Sequence, residues 1–351
     1  MDDIAIANSK GQPYKPSWID RFTNWVEKLP IRASAFYVGL GFVLIIIQAV
    51  FLWLEGGLHA ELLLPIIVFN GFAVPFLLIL INFLDNQAVT ALDSMKTALD
   101  ITESNLNKYR FQLSNMPSGP MLISGLIMTV TAILIERFSI TPVRYAALEQ
   151  LPVFAIVYHL IDKGLAFLFG VFIFHTIRQL RLVNTINMKH IRVNLFDLGS
   201  LRAFSKLTSS TAVGLVIGIY GWMLINPDLL TNQLFFGFAA LITILAAAVF
   251  IWPLLGVHRL METEKERMLH NIDLRFESVF LKFDQHFLDD NYSTIEKLNL
   301  IISSLEIQHK RIKAIPTWPW KPETARLVLS AVAIPLILTI LRFLIEQAFF
   351  S

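Results

Sequence analysis

The sequence predicts an all-α, polytopic integral membrane protein with about seven transmembrane helices and a cytosolic antiparallel helical hairpin of coiled-coil character. Composition is the first reason. Of 351 residues, 55% are hydrophobic and 16% charged, with a mean hydropathy of +0.60. Soluble domains carry about 25% charge, so this chain has more apolar surface than one core can hide. The second reason is seven apolar stretches that approach the roughly 20 residues a helix needs to cross a hydrocarbon layer about 30 Å thick. The third is the placement of Lys and Arg. Five lie in 1–33, three between spans two and three, six in 178–208 and eleven in 256–326. Threading the seven spans from an inside N-terminus puts all of these on one side, as cytoplasmic loops require.

The first 33 residues are read as a cytosolic N-terminal segment. They mix acids and bases, and the first apolar run starts too late and runs too long for the core of a removable leader. Between Pro16 and Pro30, Trp18, Phe22, Trp25, Val26 and Leu29 recur at helical spacing opposite Asp20, Arg21, Asn24, Glu27 and Lys28. That pattern predicts an amphipathic helix in the inner interface, anchored by Trp18 and Trp25, or one packed on the cytosolic part. Spans one and two, Ser34 to Leu54 and Leu62 to Leu84, fill 34–84.

Residues 85–120 are read as a cytosolic continuation of span two. Ala88, Leu92, Met95, Leu99, Leu106 and Leu113 share a helical face, and a proline elbow, Met116-Pro117-Ser118-Gly119-Pro120, follows. Spans three and four, Met121 to Ile135 and Leu151 to Phe174, occupy 121–177. The segment 178–209 is basic, with six cations against Asp197, and reads either as topology-setting charge or as a surface for anionic headgroups. Within it, Asn194-Leu-Phe-Asp197 before Gly199-Ser200 predicts a turn into a further helix. Spans five and six, Ser210 to Ile225 and Leu234 to Leu255, fill 210–255.

The hairpin occupies 256–320. Met261, Leu269, Ile272, Phe276, Val279, Phe283 and Phe287 step by three and four. Asp289, Asp290 and Asn291 form a turn, with Ser293 or Thr294 as the next helix cap. Leu298, Ile302, Leu305, Ile312 and Ile315 continue the stripe on the return arm, interrupted at Gln308 and His309. A second elbow, Ile315-Pro316-Thr317-Trp318-Pro319, leads into 321–351 and span seven, Leu327 to Leu341. The two elbows, and the Arg-Phe pairs Arg137-Phe138 and Arg342-Phe343 that end spans three and seven, raise an internal parallel duplication as one account. Proline as a general helix stop is the other. Trp318 and Trp320 suit the headgroup level on either account.

Chemistry concentrates in span four. His159, Asp162 and Lys163 share one side of the helix, where charge is costly unless it is paired or wetted. They are ion- or proton-pathway candidates, or else groups that lock helices together by buried hydrogen bonds. Neighbours on a helix point about 100° apart, so Asp162 and Lys163 are not expected to neutralise each other, and Gln48, Asn70 and Asn82 are the expected partners. Gly214 and Gly218 form a small-xxx-small pair that favours close helix packing.

Cofactor and catalytic signals are weak, so no enzyme, cofactor or metal is expected. His258 and His270 flank Glu264 and Glu266 without a metalloprotease spacing. Asp284, His286, Asp289 and Asp290 are better explained by turn formation than by a cation, and His159 and His175 cannot ligate one haem from one helix. With no Cys, thiolate chemistry is excluded. A formal charge of +2 does not favour nucleic acid. The expected partners are the lipid bilayer and, through 256–315, a second copy or another membrane subunit. The expected role is a scaffold or signal-coupling subunit of the cell (inner) membrane; the alternative is an ion channel or proton- or ion-coupled transporter.

Overall fold

A computed structural model describes residues 13–56, 63–139, 148, 150–191, 194–225, 233–288 and 292–350. Every regular element among them is helical, and strand pairing is limited to two isolated bridges, Pro16 with Pro117 and Leu99 with Ile191. The helices are α1 (Trp18–Glu27), α2 (Ala33–Leu54), α3 (Leu64–Ser94), α4 (Glu103–Ser114), α5 (Ser118–Ser139), α6 (Pro152–His190), α7 (Leu198–Leu201), α8 (Ala203–Ile225), α9 (Gln233–Leu288), α10 (Tyr292–Lys313) and α11 (Pro322–Phe350). Six of them among the described residues, α2, α3, α5, α6, α8 and α9, are long and apolar enough to cross a membrane. They coincide with the first six predicted spans.

The main core forms where α3, α6, α8 and α9 meet, around Ile81, Leu84, Val171, Phe172, Val183, Leu207, Leu215, Ala246 and Leu254. The periphery is as apolar as the core. On α5, Ile123, Leu126, Ile127 and Val130 are all exposed, an arrangement that water would penalise and hydrocarbon would not. The chain is thus a helical bundle with an apolar exterior, the character of a membrane protein.

Close approaches set the bundle's registers. Gly41 of α2 faces Gly71 of α3, where a Cβ on Gly71 would stand 3.2 Å from the Gly41 carbonyl. A Cβ on Gly170 of α6 would stand 2.6 Å from the Ser124 carbonyl of α5. Gly214 of α8 lies against Leu80 of α3, whereas Gly218 meets nothing within 4 Å. Only half of the predicted glycine pair therefore makes a contact, and that contact is within the chain.

Span two does continue beyond its apolar run, but not as one helix. α3 stops at Ser94, a 3-10 turn covers Lys96–Ala98, and Thr102 caps α4 by accepting from the Asn105 amide. The apolar stripe is kept: Ala88, Leu92, Met95, Leu99, Leu106 and Leu113 are all buried. The break holds because Asp100 donates its amide to the His190 carbonyl at 2.8 Å, tying the turn to the end of α6. The basic segment is likewise resolved into parts. α6 carries Arg178, Arg181 and Lys189, and the Asn194 side chain accepts from the Phe196 amide in the expected turn before α7.

α6 and α9 contain 39 and 56 residues. At about 1.5 Å per residue they measure roughly 58 and 84 Å, far longer than a bilayer core. The distal half of α9 packs against α10. Lys265 Nζ donates to the Lys313 and Ile315 carbonyls at 2.7 and 2.8 Å, and Asp273 faces His309 at 3.8 Å, so the two arms are antiparallel. Ile272, Leu305 and Ile312 fill their seam with Met268, Phe276 and Val279. His309 faces Asp273 beside this seam and is not one of its apolar members, in keeping with the expected interruption. Met261 belongs instead to a small cluster with Leu195 and Val257 at the hairpin's base. Ser293 and Thr294 lie inside α10 and not ahead of it; the expected turn at 289–291 and the side chains of Phe283, His286 and Phe287 fall outside the described residues.

The two elbows are built differently. At the first, Pro117 pairs with Pro16 and leads into α5, which packs along α6. At the second, Trp318 lies parallel to His258 at 3.8 Å and against Trp320 at 4.3 Å, while Trp320 stacks on Phe250 at 5.1 Å. α11 then packs on α8 and α9, so the proposed repeat units do not share their packing. Trp318 and Trp320 both take part in this stack and brace the elbow, and each remains half-exposed.

Candidate functional site

The Gly125–Gly170 crossing fixes α5 and α6 antiparallel, and one consequence is that residues near the end of α5 stand level with the first turns of α6. Glu136 of α5 is thereby brought to His159 and Lys163 of α6. One carboxylate oxygen lies 3.3 Å from His159 Nδ1, and the other accepts from Lys163 Nζ. Lys163 Nζ also donates to Asp162 Oδ2 at 2.8 Å. The three predicted pathway residues therefore form one cluster with a fourth, Glu136.

Two expectations are corrected here. Asp162 and Lys163 do pair, because the four-carbon lysine stem can swing across the angle between adjacent positions. The cross-helix partner is Glu136 and none of the three amides expected. Gln48 donates to its own helix at Leu44, Asn82 donates to Glu27, and Asn70 Nδ2 is buried without a hydrogen bond.

The cluster lies in the outer groove between α5 and α6, short of the bundle's centre. The side chains of Glu136, Lys163 and Asp162 are 16%, 19% and 22% exposed, while that of His159 is 39% exposed. Access is therefore from the histidine's side. Two carboxylates share one ammonium, so a proton on His159 would bring the cluster to neutrality.

A second constellation, absent from the sequence reading, lies at the other end of the same helix. Asp85 of α3 contacts His175 Nε2 of α6 at 2.5 Å and accepts from Gln179 at 3.2 Å. Gln179 also donates to the Leu113 carbonyl at 2.9 Å. Arg178 donates to the carbonyls of Gln112 and Asn115, at 2.7 and 2.8 Å, and to the Tyr14 hydroxyl, which donates in turn to Asn115. Burial pushes the Tyr14 phenol up to about 12 despite the neighbouring guanidinium, so it stays a neutral donor. These groups clamp the first elbow, and Arg178 is spent there instead of facing a lipid headgroup.

The N-terminal helix departs from its predicted orientation. Ile19, Asp20, Thr23 and Val26 form its buried face. Asp20 turns inward because its Oδ2 accepts from the amides of Ser17 and Met116, both at 2.8 Å. The Ser17 hydroxyl completes the capping box by accepting from the Asp20 amide. Trp18 and Trp25 are left outward, 42% and 51% exposed.

On the opposite side of the bundle, Glu55 caps α6 from the end of α2, accepting from the Val153 and Phe154 amides at 3.0 and 2.8 Å. A carboxylate at a helix N-terminus satisfies two otherwise orphaned donors and meets the positive end of the dipole. Neither this cap nor the Asp85–His175 pair carries a local sequence pattern. Glu264, near the hairpin base, pairs with Arg267, while His258 is held in the tryptophan stack. Among the described residues no group of three His, Asp or Glu is placed to hold a metal ion. The chain matches no protein-family model, no curated protein and no solved structure.

Proposed function

We propose that this is a non-catalytic scaffold or signal-coupling subunit of the cell (inner) membrane, working through a cytosolic hairpin over 256–320. In this reading α11 is the seventh crossing, the N-terminus is cytoplasmic, and the segments 1–33, 178–209 and 256–320, which hold most of the Lys and Arg, face the cytosol. One observation carries the reading: α9 is a single unbroken helix of 56 residues that serves both as an apolar span and as one arm of the hairpin. The helix runs on through Pro253, whose missing N–H leaves one backbone bond unmade between span and arm, so movement of the hairpin reaches the span along a continuous helix with one weak point. The outward sides of both arms support a partner surface. Leu274 and Leu281 on α9, and Leu300 and Ile307 on α10, are each more than half exposed at seven-residue spacing.

Deleting 260–312 and replacing it with a short Gly/Ser linker should abolish recovery of cross-linked oligomers or membrane partners from native membranes while leaving the protein membrane-bound. Undiminished cross-linking would exclude the scaffold reading.

The second reading is a proton or ion pathway, favoured by the Glu136–His159–Lys163–Asp162 cluster. On that reading Asp162→Asn or Glu136→Gln should lower proton flux in reconstituted vesicles at least tenfold. Flux equal to wild type, or none above empty vesicles in either protein, leaves the cluster a structural one.

A further inference from the structure

We propose that the outward face of α1 binds the headgroups of anionic phospholipids. The proposal rests on α1 lying at the membrane surface and adds what that surface must contain. Folding sorts the charges of this segment by sign. Its two acids are engaged by the protein: Asp20 is 2% exposed and holds the Ser17 and Met116 amides, and Glu27, itself exposed, accepts from Asn82 at 2.9 Å on the flank of the helix. Its four bases, Lys15, Arg21, Lys28 and Arg32, are all exposed. None pairs with a carboxylate among the described residues; the one polar contact is Arg21 Nε to the Ser17 carbonyl at 3.4 Å, which leaves the guanidinium's two terminal nitrogens free.

The bases are interleaved with tryptophan. At about 100° per residue, Trp18, Arg21, Trp25 and Lys28 fall within roughly 80° of one another on the helix surface. The rings are braced from behind, Trp25 edge-on to Phe36 at 5.7 Å and Trp18 against Phe167 at 6.5 Å. Interleaved indoles and cations match a headgroup layer, where tryptophan sits at the apolar boundary and Lys or Arg reaches the phosphates.

The level of α1 agrees. It touches α2 at its first turn, through Phe36, and α3 at Asn82, where the apolar run ends. It also touches the elbow at Met116, just before α5 begins. Two apolar helices therefore start, and the apolar run of a third ends, at the height of α1. An acidic protein would satisfy the cations but not the tryptophans, which favours lipid as the occupant.

The test uses the full chain in detergent, titrated with phosphatidylglycerol or phosphatidylcholine, with retained lipid counted by native mass spectrometry. Wild type should prefer phosphatidylglycerol, and the preference should fade near about 0.5 M salt. Arg21→Gln with Lys28→Gln should weaken phosphatidylglycerol binding on the order of tenfold. Lys15→Gln with Arg32→Gln, outside the helix, should act in the same direction. Lys297→Gln with Lys310→Gln on the hairpin should change nothing. Equal retention by wild type and both N-terminal double variants, or an equal loss in the hairpin control, overturns the proposal. Quenching by brominated lipids, compared between wild type and Trp18→Phe with Trp25→Phe, separates the two levels of the claim. A quenched component lost in that variant without a phosphatidylglycerol preference removes the headgroup site and keeps α1 at the surface; no such component removes both.

Discussion

Lys163 carries the balance of the charged cluster between α5 and α6. It is the one cation between Glu136 and Asp162, and removing it leaves two carboxylates with no counter-charge in a mostly buried groove. Lys163→Met should therefore destabilise the protein by about 2 kcal/mol, with Glu136→Leu and Asp162→Asn added to it recovering most of the loss, as stranding the partners of a lost charge costs more than replacing the whole group. Denaturant midpoints in detergent check this; a single variant as stable as wild type would show the pair to be idle. His159, Asp162 and Lys163 were legible in the sequence because polar groups stand out on an apolar helix. Glu136 was not, since it lies beside Arg137 near the end of a span and reads as ordinary interface charge. Its pairing follows from the α5–α6 register, which no local spacing encodes. Asp20 was misread for a related reason: a helical wheel assigns a carboxylate to the wet side, and the buried amides of Ser17 and Met116 reverse that assignment.

Helix contacts obey the same division. The glycines at crossings look alike in sequence, yet their surroundings differ. A methyl on Gly170 would meet the Ser124 backbone carbonyl at 2.6 Å, one on Gly214 would meet the movable end of Leu80 at 2.8 Å, and one on Gly218 would meet nothing. Alanine substitution should therefore cost most at Gly170, on the order of 2 kcal/mol or more, less at Gly214, and close to nothing at Gly218. Thermal midpoints of the three variants test the ranking, and a Gly218→Ala loss as large as that at Gly170 would contradict it. The six apolar helices were readable because a period-free apolar run of sufficient length has few other uses. The break after Ser94 was not, because the helical stripe persists through it; what ends α3 is the tie between Asp100 and His190, a contact set by the position of α6.

At the scale of the molecule, the proposed function requires one arrangement: an apolar bundle solvated by lipid, with its elbows, the end of α6 and the hairpin all on one face. The bundle itself follows from composition, since the six long apolar helices expose apolar side chains as well as burying them. The proposed sidedness rests on the basic residues and on the lengths of α6 and α9, 39 and 56 residues. The absence of cysteine makes this directly measurable. Single cysteines replacing Lys189, Lys310 and Gln150, labelled by a membrane-impermeant maleimide in sealed vesicles of known orientation, report three positions against no background. Lys189→Cys and Lys310→Cys should label only from the cytosolic side and Gln150→Cys only from the other. Labelling of Lys189→Cys and Lys310→Cys from opposite sides, or of all three from one, would contradict that arrangement.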